Sequence, residues 1–370
     1  MRCTRALIKL DAIKYNISLM RKQMENTNIG IMAIVKANAY GHGLVPVAKA
    51  AVEAGCSHLG VAIPEEGIAL RESGIKEPIL VLGLIAPEQA GECIANSLTV
   101  TVFDKTHLSC LIDAAGQNGV KAKIALKSDT GMHRIGADND GILEMAEFVQ
   151  KQPLLSFDCL FTHFASAGGP DLEYAKKQEK LFAKLVKSLE EKGMRPPLVS
   201  ACASGGMLTM PESRYDLVRA GISMYGLYPS DFIREKYAFK QAMSFVTQIS
   251  HIKKVEKGTP IGYEMTWSAE TDVYIATLPV GYGDGYSRLL SNKGYVLIGG
   301  EYCPIAGNIC MDQMMVCLGE KTVACVGDEA VLVGSQEGKS ITFEDIATLT
   351  GTINYELACA VAARVPRIYI

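Results

Sequence analysis

A chain of 370 residues is too long for one ordinary hydrophobic core, so two domains are expected. Its 48% hydrophobic and 21% charged residues are the balance of a soluble globular protein. The net charge of −3 comes from intermixed acids and bases, with no basic stripe for nucleic acid and no apolar run approaching the roughly 20 residues of a membrane span.

In chain order, the strand-like run "TRALIKLD" comes first and is a candidate to pair with the second domain. A regular alternation then begins. Short β-like runs fall at "IGIMAIVK", "SHLGVAI", "EPILVLGL", "LTVTVF", "KAKIALK", "SFDCLFTHF", "PLVSAC" and "YDLVRAG". Helix-like stretches separate them: "LVPVAKAAVEAG", "PEEGIALRES", "APEQAGECIANS", "DKTHLSCLIDAAGQNG", "DNDGILEMAEFVQKQ", "DLEYAKKQEKLFAKLVKSLEEKG" and a short one at "SGGMLTM". Several open on Pro, Asp or Ser and close on Gly or Asn, as capped helices do. Eight strand–crossover units from about 29 to 228 close naturally into a (β/α)8 TIM-type barrel. A doubly wound open sheet would usually have fewer strands.

After about Pro229 the pattern turns β-rich, with runs at "MSFVTQISHIKKV", "DVYIATLPVGY", "GYVLIGGEYCPIAG", "QMMVCL", "EAVLVG" and "VPRIYI". One helix-like segment, "TFEDIATLTG", starts on a capping-box pattern. The expected organisation is therefore a barrel over 1–235, with residues 1–10 free to pair elsewhere, and a mostly β domain over 236–370. The opening "MRCTRALIKLD" lacks the apolar stretch and cleavage site of a signal peptide. The 11 cysteines are scattered, and several lie inside apolar runs. That suits reduced thiols in a cytoplasmic protein, and no His/Cys spacing suggests a metal.

Barrel chemistry sits at the C-terminal ends of the strands. Those ends carry Lys36, Lys127, His163, Ser204 and Arg219. Taken singly, a terminal lysine snorkels to water and "SGG" is ordinary turn chemistry. Together, five such residues fall on one rim. A desolvated lysine forms a Schiff base with an aldehyde. Ser204, Tyr40 and the backbone of Gly221–Ser223 could hold a phosphate, and Arg219 could donate to a ring nitrogen. This is the outline of a pyridoxal phosphate site.

The motifs "VKANAYGHG", "KSDTGMHRIG", "THFA", "ASGG", "RAGISMYG", "GYEMTW", "LPVGYGDGY", "GNICMDQ" and "NYELAC...RVPRIY" follow one another across nearly the whole chain. In that order and spacing they resemble the alanine racemases, pyridoxal 5'-phosphate enzymes built from a barrel and a β domain. The resemblance implies an isomerase that interconverts L- and D-alanine, as in D-alanine biosynthesis for peptidoglycan precursors. It also implies a homodimer with its active sites at the interface.

By the same resemblance, Lys36 carries the cofactor and is one of two bases, and Tyr263 is the other, reaching the partner's site. Racemisation removes the α-proton from one face and returns one to the opposite face, so two bases are needed. Tyrosine, with an ordinary pKa of about 10, is a poor base unless its anion is stabilised. The implied relay runs from Tyr263 through His163 and Arg219 to the pyridine nitrogen. Arginine there favours an unprotonated ring nitrogen, which should suppress transamination. Arg134 is the implied ligand of the substrate carboxylate. Lys127, seven residues before it, is a lysine often carbamylated in the family. Tyr40, Ser204, Gly221, Ile222 and Tyr355 are the implied phosphate ligands. Tyr282, Met311 and Asp312 are the implied residues that close the partner's substrate channel.

The chain departs from the family pattern at Asn308, where an arginine is common, around Gly168, where an acid is usual, and at Gly262 and Glu264 beside Tyr263. These departures keep a serine or broader-specificity racemase open as an alternative. Lysine and ornithine racemases on this fold are further away. A non-catalytic pyridoxal phosphate carrier consists of the barrel alone. A basic-amino-acid decarboxylase needs a cysteine and acids that "GNICMDQ" does not resemble. "GYGDGY" lacks the spacing and following helix of a dinucleotide site.

Overall fold

The computed structural model describes residues 2–25 and 27–370. Eight parallel strands form the first unit: Gly30–Ile34, His58–Val61, Ile79–Val81, Thr99–Val102, Ala122–Lys127, Leu155–Phe161, Leu198–Ser200 and Leu217–Ala220. Hydrogen-bonded ladders join neighbours from the seventh strand back to the first, and the first pairs with the eighth. Between the seventh and eighth, two backbone bonds bring the sheet nearly to closure: Asp216 N–H to Val199 at 3.1 Å and Arg219 N–H to Cys202 at 3.0 Å. The strands are short and almost wholly buried because helices cover their outer faces.

The β domain contains a larger sheet and a smaller one. Its larger sheet runs in the order Glu301–Pro304, Tyr295–Ile298, Glu329–Gln336, Met243–Gln248, Arg5–Ile8 and Arg367–Tyr369, with Lys339–Ile341 alongside Glu329–Gln336. The chain's first strand thus lies between Met243–Gln248, antiparallel, and Arg367–Tyr369, parallel. The smaller sheet joins His251–Val255, Val273–Leu278 and Met314–Gly319. A two-stranded hairpin, Pro260–Ile261 with Trp267–Ser268, carries the Tyr263–Met265 turn at its tip. One continuous apolar core runs from the barrel into the larger sheet, and a smaller cluster around Ile261, Val273 and Ile275 lies under the hairpin.

Among the described residues, two helices of seven or more residues lie outside the sequence-based expectation, besides the single turn Asp231–Arg234. Leu10–Lys22 follows the first strand, burying Ile13, Ile17 and Met20 on one face, and Asn354–Ala360 joins Phe343–Thr350 in the β domain. The capping box expected at Thr342 is formed: its side chain accepts from the Asp345 N–H while the Asp345 carboxylate accepts from the Thr342 N–H.

Candidate active site

The first barrel strand ends at Ile34, and the chain then does something unusual. Ala37, Asn38, Ala39 and Tyr40 are all left-handed, with φ between 51° and 54°. For non-glycine residues that conformation costs about 1–2 kcal/mol each, so several kcal/mol must be recovered locally. Hydrogen bonds do so. The Ala39 N–H reaches the Val35 carbonyl at 2.8 Å, the Gly43 N–H the Asn38 carbonyl at 2.9 Å, and the Leu44 N–H the Asn38 Oδ1 at 2.8 Å. His42 is fully buried, with Nδ1 2.9 Å from the Tyr40 carbonyl and its ring 4.6 Å from that of Tyr225. This turn gives both Lys36 and Tyr40 to the barrel mouth.

There a cavity of about 900 Å³ opens at the C-terminal ends of the strands. Ten residues singled out in the sequence line it: Lys36, Tyr40, Lys127, Arg134, His163, Ser204, Arg219, Gly221, Ile222 and Tyr355. Leu82, Leu84, Phe161 and Phe164 add apolar walls that sequence reading did not name. Phe161 was within reach of it. It lies two residues before His163 on the sixth strand, so the two-residue strand period puts both on one face.

Arg219 is buried on the eighth strand. Its Nη1 donates to the Ser200 carbonyl at 3.1 Å and to Ser200 Oγ at 2.7 Å; its Nη2 donates to the carbonyls of Thr162 at 2.7 Å and Ala201 at 3.0 Å. The same Nη2 lies 3.3 Å from His163 Nδ1. Arginine can only donate, so this contact makes Nδ1 the acceptor and leaves the imidazole proton on Nε2. Burial, and then the charges of Arg219, Arg134, Lys127 and Lys36, hold the His163 pKa well below its ordinary value. The Arg219 Nε takes no acceptor among the described residues.

Two lysines share this cationic neighbourhood. Burial first, and then the Arg134 charge, lowers the Lys36 pKa. Burial, followed by the Arg219 charge, pulls Lys127 down to about 7. Lys127 Nζ donates to the Ser128 carbonyl at 2.7 Å. Its Nζ and the Arg219 Cζ lie 5.6 Å and 5.7 Å from the Phe161 ring centroid, so one aromatic ring adjoins both cations.

Opposite, Ser204 Oγ accepts from the Gly221 N–H at 2.9 Å. A Cβ added at Gly221 would stand 3.5 Å from both Ser204 Oγ and Tyr40 Oη. The missing side chain therefore keeps open a small gap edged by two hydroxyls and the backbone after the eighth strand. Tyr355, from the β domain, also lines the cavity, with its ring 6.2 Å from that of Tyr40.

The remaining four candidates do not line this cavity. Tyr263 is 72% exposed, and Tyr282, Met311 and Asp312 are exposed as well. These four form a second group on the β domain. The Gly283 N–H bonds to the Met311 carbonyl at 2.9 Å and the Tyr282 N–H to that of Cys310 at 3.1 Å. Asn308, in the same segment, donates to the Tyr263 carbonyl at 3.0 Å.

Beneath this surface is a charge cluster that sequence reading missed. Asp284 is fully buried and takes Arg2 at 2.6 Å and Arg364 Nε at 2.7 Å, both on Oδ1, while Oδ2 accepts from the Gly281 N–H at 3.1 Å. Arg364 Nη2 continues to Asp312 at 2.8 Å. No group of three or more His, Cys, Asp or Glu among the described residues is placed to hold a metal ion.

A half-buried lysine and a buried arginine at the mouth of a (β/α)8 barrel, with Tyr355 of a mostly β domain beside them, are the features expected of a barrel-type amino-acid racemase. The comparisons agree with that class. Residues 8–229 match the model of the alanine racemase N-terminal domain, and residues 242–369 that of the C-terminal domain. The alanine racemase of Desulforamulus reducens is 44% identical over 369 residues, covering 99% of this chain and 98% of its own length. Alanine racemase 2 of Caldanaerobacter subterraneus is 42% identical over 370 residues, covering 100% and 95%. The crystal structure of alanine racemase from Bacillus anthracis with bound L-Ala-P superposes with a TM-score of 0.94 at 36% identity, covering 100% of this chain and 95% of that one. This chain belongs to the alanine racemase family.

Proposed function

We propose that this chain interconverts L- and D-alanine using pyridoxal 5'-phosphate held in the barrel cavity. We further propose that it acts as a homodimer in which the 236–370 domain of one subunit completes the site in the 1–235 barrel of the other. The residues at the cavity fit that cofactor. Lys36 offers an amine whose charged form burial disfavours, Arg219 Nε–H meets no acceptor among the described residues, and Gly221 leaves an open gap beside two hydroxyls. Lys36 would hold the aldehyde carbon. Tyr40, Ser204, Gly221, Ile222 and Tyr355 would hold the phosphate, and Arg219 would donate to the ring nitrogen. When bound, the cofactor supplies the electron sink that makes an amino acid's α-proton removable.

The chain's own groups would do the rest. Arg134 would fix the substrate carboxylate. The Lys36 amine would take the α-proton of D-alanine, and the partner's Tyr263 that of L-alanine on the opposite face. His163, acting as acceptor to Arg219 at Nδ1, keeps an Nε2–H to stabilise the tyrosinate. Burial pulls the Lys127 pKa down to about 7, so a neutral amine is accessible at neutral pH. Its amine would add to carbon dioxide, forming one N–C bond and releasing one proton, and the resulting carbamate would pair with Arg134. Tyr282, Met311 and Asp312 would close the partner's channel. Free cysteines suit a reducing cytoplasm, and the product suits a peptidoglycan precursor.

The observation that carries this reading is the convergence of Lys36, Arg219 and the Ser204–Gly221 gap on one cavity in a chain of this family. The cavity lining contains no aspartate or glutamate, which favours a small neutral side chain over lysine or ornithine. Serine is the second reading. Burial pushes the Tyr355 phenol up to about 12, so it stays a donor that a substrate hydroxyl could use. The test is a panel of L-amino acids incubated with enzyme and cofactor, then resolved by chiral chromatography. Alanine should racemise fastest and serine next; faster turnover of lysine than of alanine would overturn the assignment.

A further inference from the structure

Three departures from the family pattern, Gly262, Glu264 and Asn308, are separated by up to 46 residues in sequence, yet they meet in one place. Asn308 is 8% exposed. Its Nδ2 donates to two acceptors, the Tyr263 carbonyl at 3.0 Å and Glu264 Oε2 at 3.1 Å. The turn it grips is strained: Glu264 and Met265 have φ of 63° and 50°, and neither is a residue that favours the left-handed region. Gly262 precedes them at φ 77°, where a Cβ would stand 3.0 Å from the Met315 Cε and 3.5 Å from the Asn308 N. The positive φ favours glycine here, and an added Cβ would crowd only the end of the Met315 side chain.

The far end of the turn is tied to the same segment by another amide. Asn292 Nδ2 donates to Thr266 Oγ1 at 3.0 Å while its Oδ1 accepts from the Gly307 N–H at 2.8 Å. Arg288 lies 3.9 Å from Glu264, but both side chains are more than half exposed, so water screens that pair. The Asn308 amide is the stronger restraint, because it is buried and ties the Tyr263 carbonyl as well as the Glu264 carboxylate.

We propose that Asn308 is a positioning residue for proton transfer: it clips the Glu264 carboxylate and the Tyr263 carbonyl together, holding a left-handed turn that fixes where the Tyr263 phenol projects. The proposal rests on the reading of Tyr263 as the base for L-alanine. An asparagine at 308 therefore does not merely subtract a charge from the channel. It works with Glu264 as a neutral-donor and anionic-acceptor pair, and Gly262 supplies the positive-φ residue that leads into the turn. The phenol stays exposed while its backbone is anchored, as a group serving a neighbouring subunit requires.

The test uses holoenzyme carrying Asn308→Ala, Asn308→Asp, Asn308→Asp/Glu264→Gln and, as a control, Tyr263→Phe. Two readouts are taken: α-deuterium wash-in from D₂O, started separately from L- and D-alanine, and amide hydrogen exchange of the segment 262–266. In Asn308→Ala, wash-in from L-alanine should fall about tenfold or more while that from D-alanine changes little, since small misplacements of a reacting group carry penalties of that order. Exchange of the 262–266 amides should rise, and the melting temperature should move by about 3 °C or less. Asn308→Asp sets two carboxylates against each other and should be worse. The Glu264→Gln change restores a donor–acceptor pair and should recover part of the loss. Unchanged amide exchange in Asn308→Ala overturns the clip. Equal loss from both enantiomers, with Tyr263→Phe remaining one-sided, overturns the positioning role. If Tyr263→Phe is itself not one-sided, the base assignment falls and amide exchange alone decides the clip.

Discussion

Asp284→Asn should destabilise the enzyme although residue 284 touches nothing in the barrel cavity. In the wild type one buried carboxylate pairs with both Arg2 and Arg364, the latter shared with Asp312, and accepts the Gly281 N–H. The asparagine keeps the shape but removes the charge, and its amide must face either two guanidinium groups or an N–H with a second donor. Breaking a fully buried pair costs about 3–5 kcal/mol. Here Arg364 keeps its pair with Asp312, Arg2 loses its partner, and the two arginine side chains are 42% and 32% exposed, so water recovers part of that cost. A loss of about 2 kcal/mol remains, lowering the melting temperature at pH 7 by about 3 °C. Burial alone would raise the Asp284 pKa, but hydrogen bonds from Arg2, Arg364 and the Gly281 N–H outweigh it and hold the pKa below the ordinary value. The carboxylate's contribution is therefore complete above its unfolded pKa of about 3.9 and is lost as pH falls through the lower folded value. Calorimetric scans of both proteins from pH 7 down to pH 3 check this: the gap should narrow below about pH 4. No gap at pH 7, or a gap that stays constant into acid, would refute the reasoning.

Other outcomes follow from the cavity. Lys36→Ala should lose both activity and the visible absorption of lysine-bound cofactor, and borohydride reduction of the wild type followed by peptide mapping should mark Lys36; a mark on another lysine would reject it. With ¹³C-bicarbonate, a carbamate resonance should appear in the wild type, grow as pH rises through about 7 because the Lys127 amine becomes neutral there, and be missing in Lys127→Ala. Tyr355→Ala should raise the ratio of serine to alanine turnover, because the volume freed by losing the ring outweighs the lost hydroxyl contact, each extra heavy group in a small pocket being worth about 1–3 kcal/mol. Steady-state kinetics on both substrates measures the ratio, and an unchanged value would contradict a role for the Tyr355 ring in limiting the pocket.

The barrel was legible because its strands are short apolar runs that stop abruptly on a charged or polar residue. "IMAIVK" and "KIALK" announce both the buried strand and the side chain delivered to its mouth. The helix Leu10–Lys22 was not read, although Ile13, Ile17 and Met20 have helical spacing. It begins at Lys9, which makes no side-chain cap bond, so the usual start signal is missing. The left-handed turn Ala37–Tyr40 could not be read at all. Alanine has no preference for that region, and what holds the turn is the fold around it. The Asp284 cluster joins Arg2, "GYGDGY" and Arg364 from three distant parts of the chain, and only packing brings them together. Asn308 and Glu264 stood out in the sequence as separate departures, and their contact gives them a shared physical meaning.

The central claim is that each active site combines Lys36 of one subunit with Tyr263 of the other. Subunit complementation tests it most directly. Lys36→Ala and Tyr263→Ala proteins, each inactive alone, are mixed under conditions that exchange subunits, and alanine racemisation is measured against the wild type. In a mixed dimer one site carries both lesions and the other carries none. Random exchange should therefore restore activity to about one quarter of the wild-type value, as two-fold symmetry dictates. No recovery after verified subunit exchange would mean that every site holds one lesion, and that lysine and tyrosine act within a single chain.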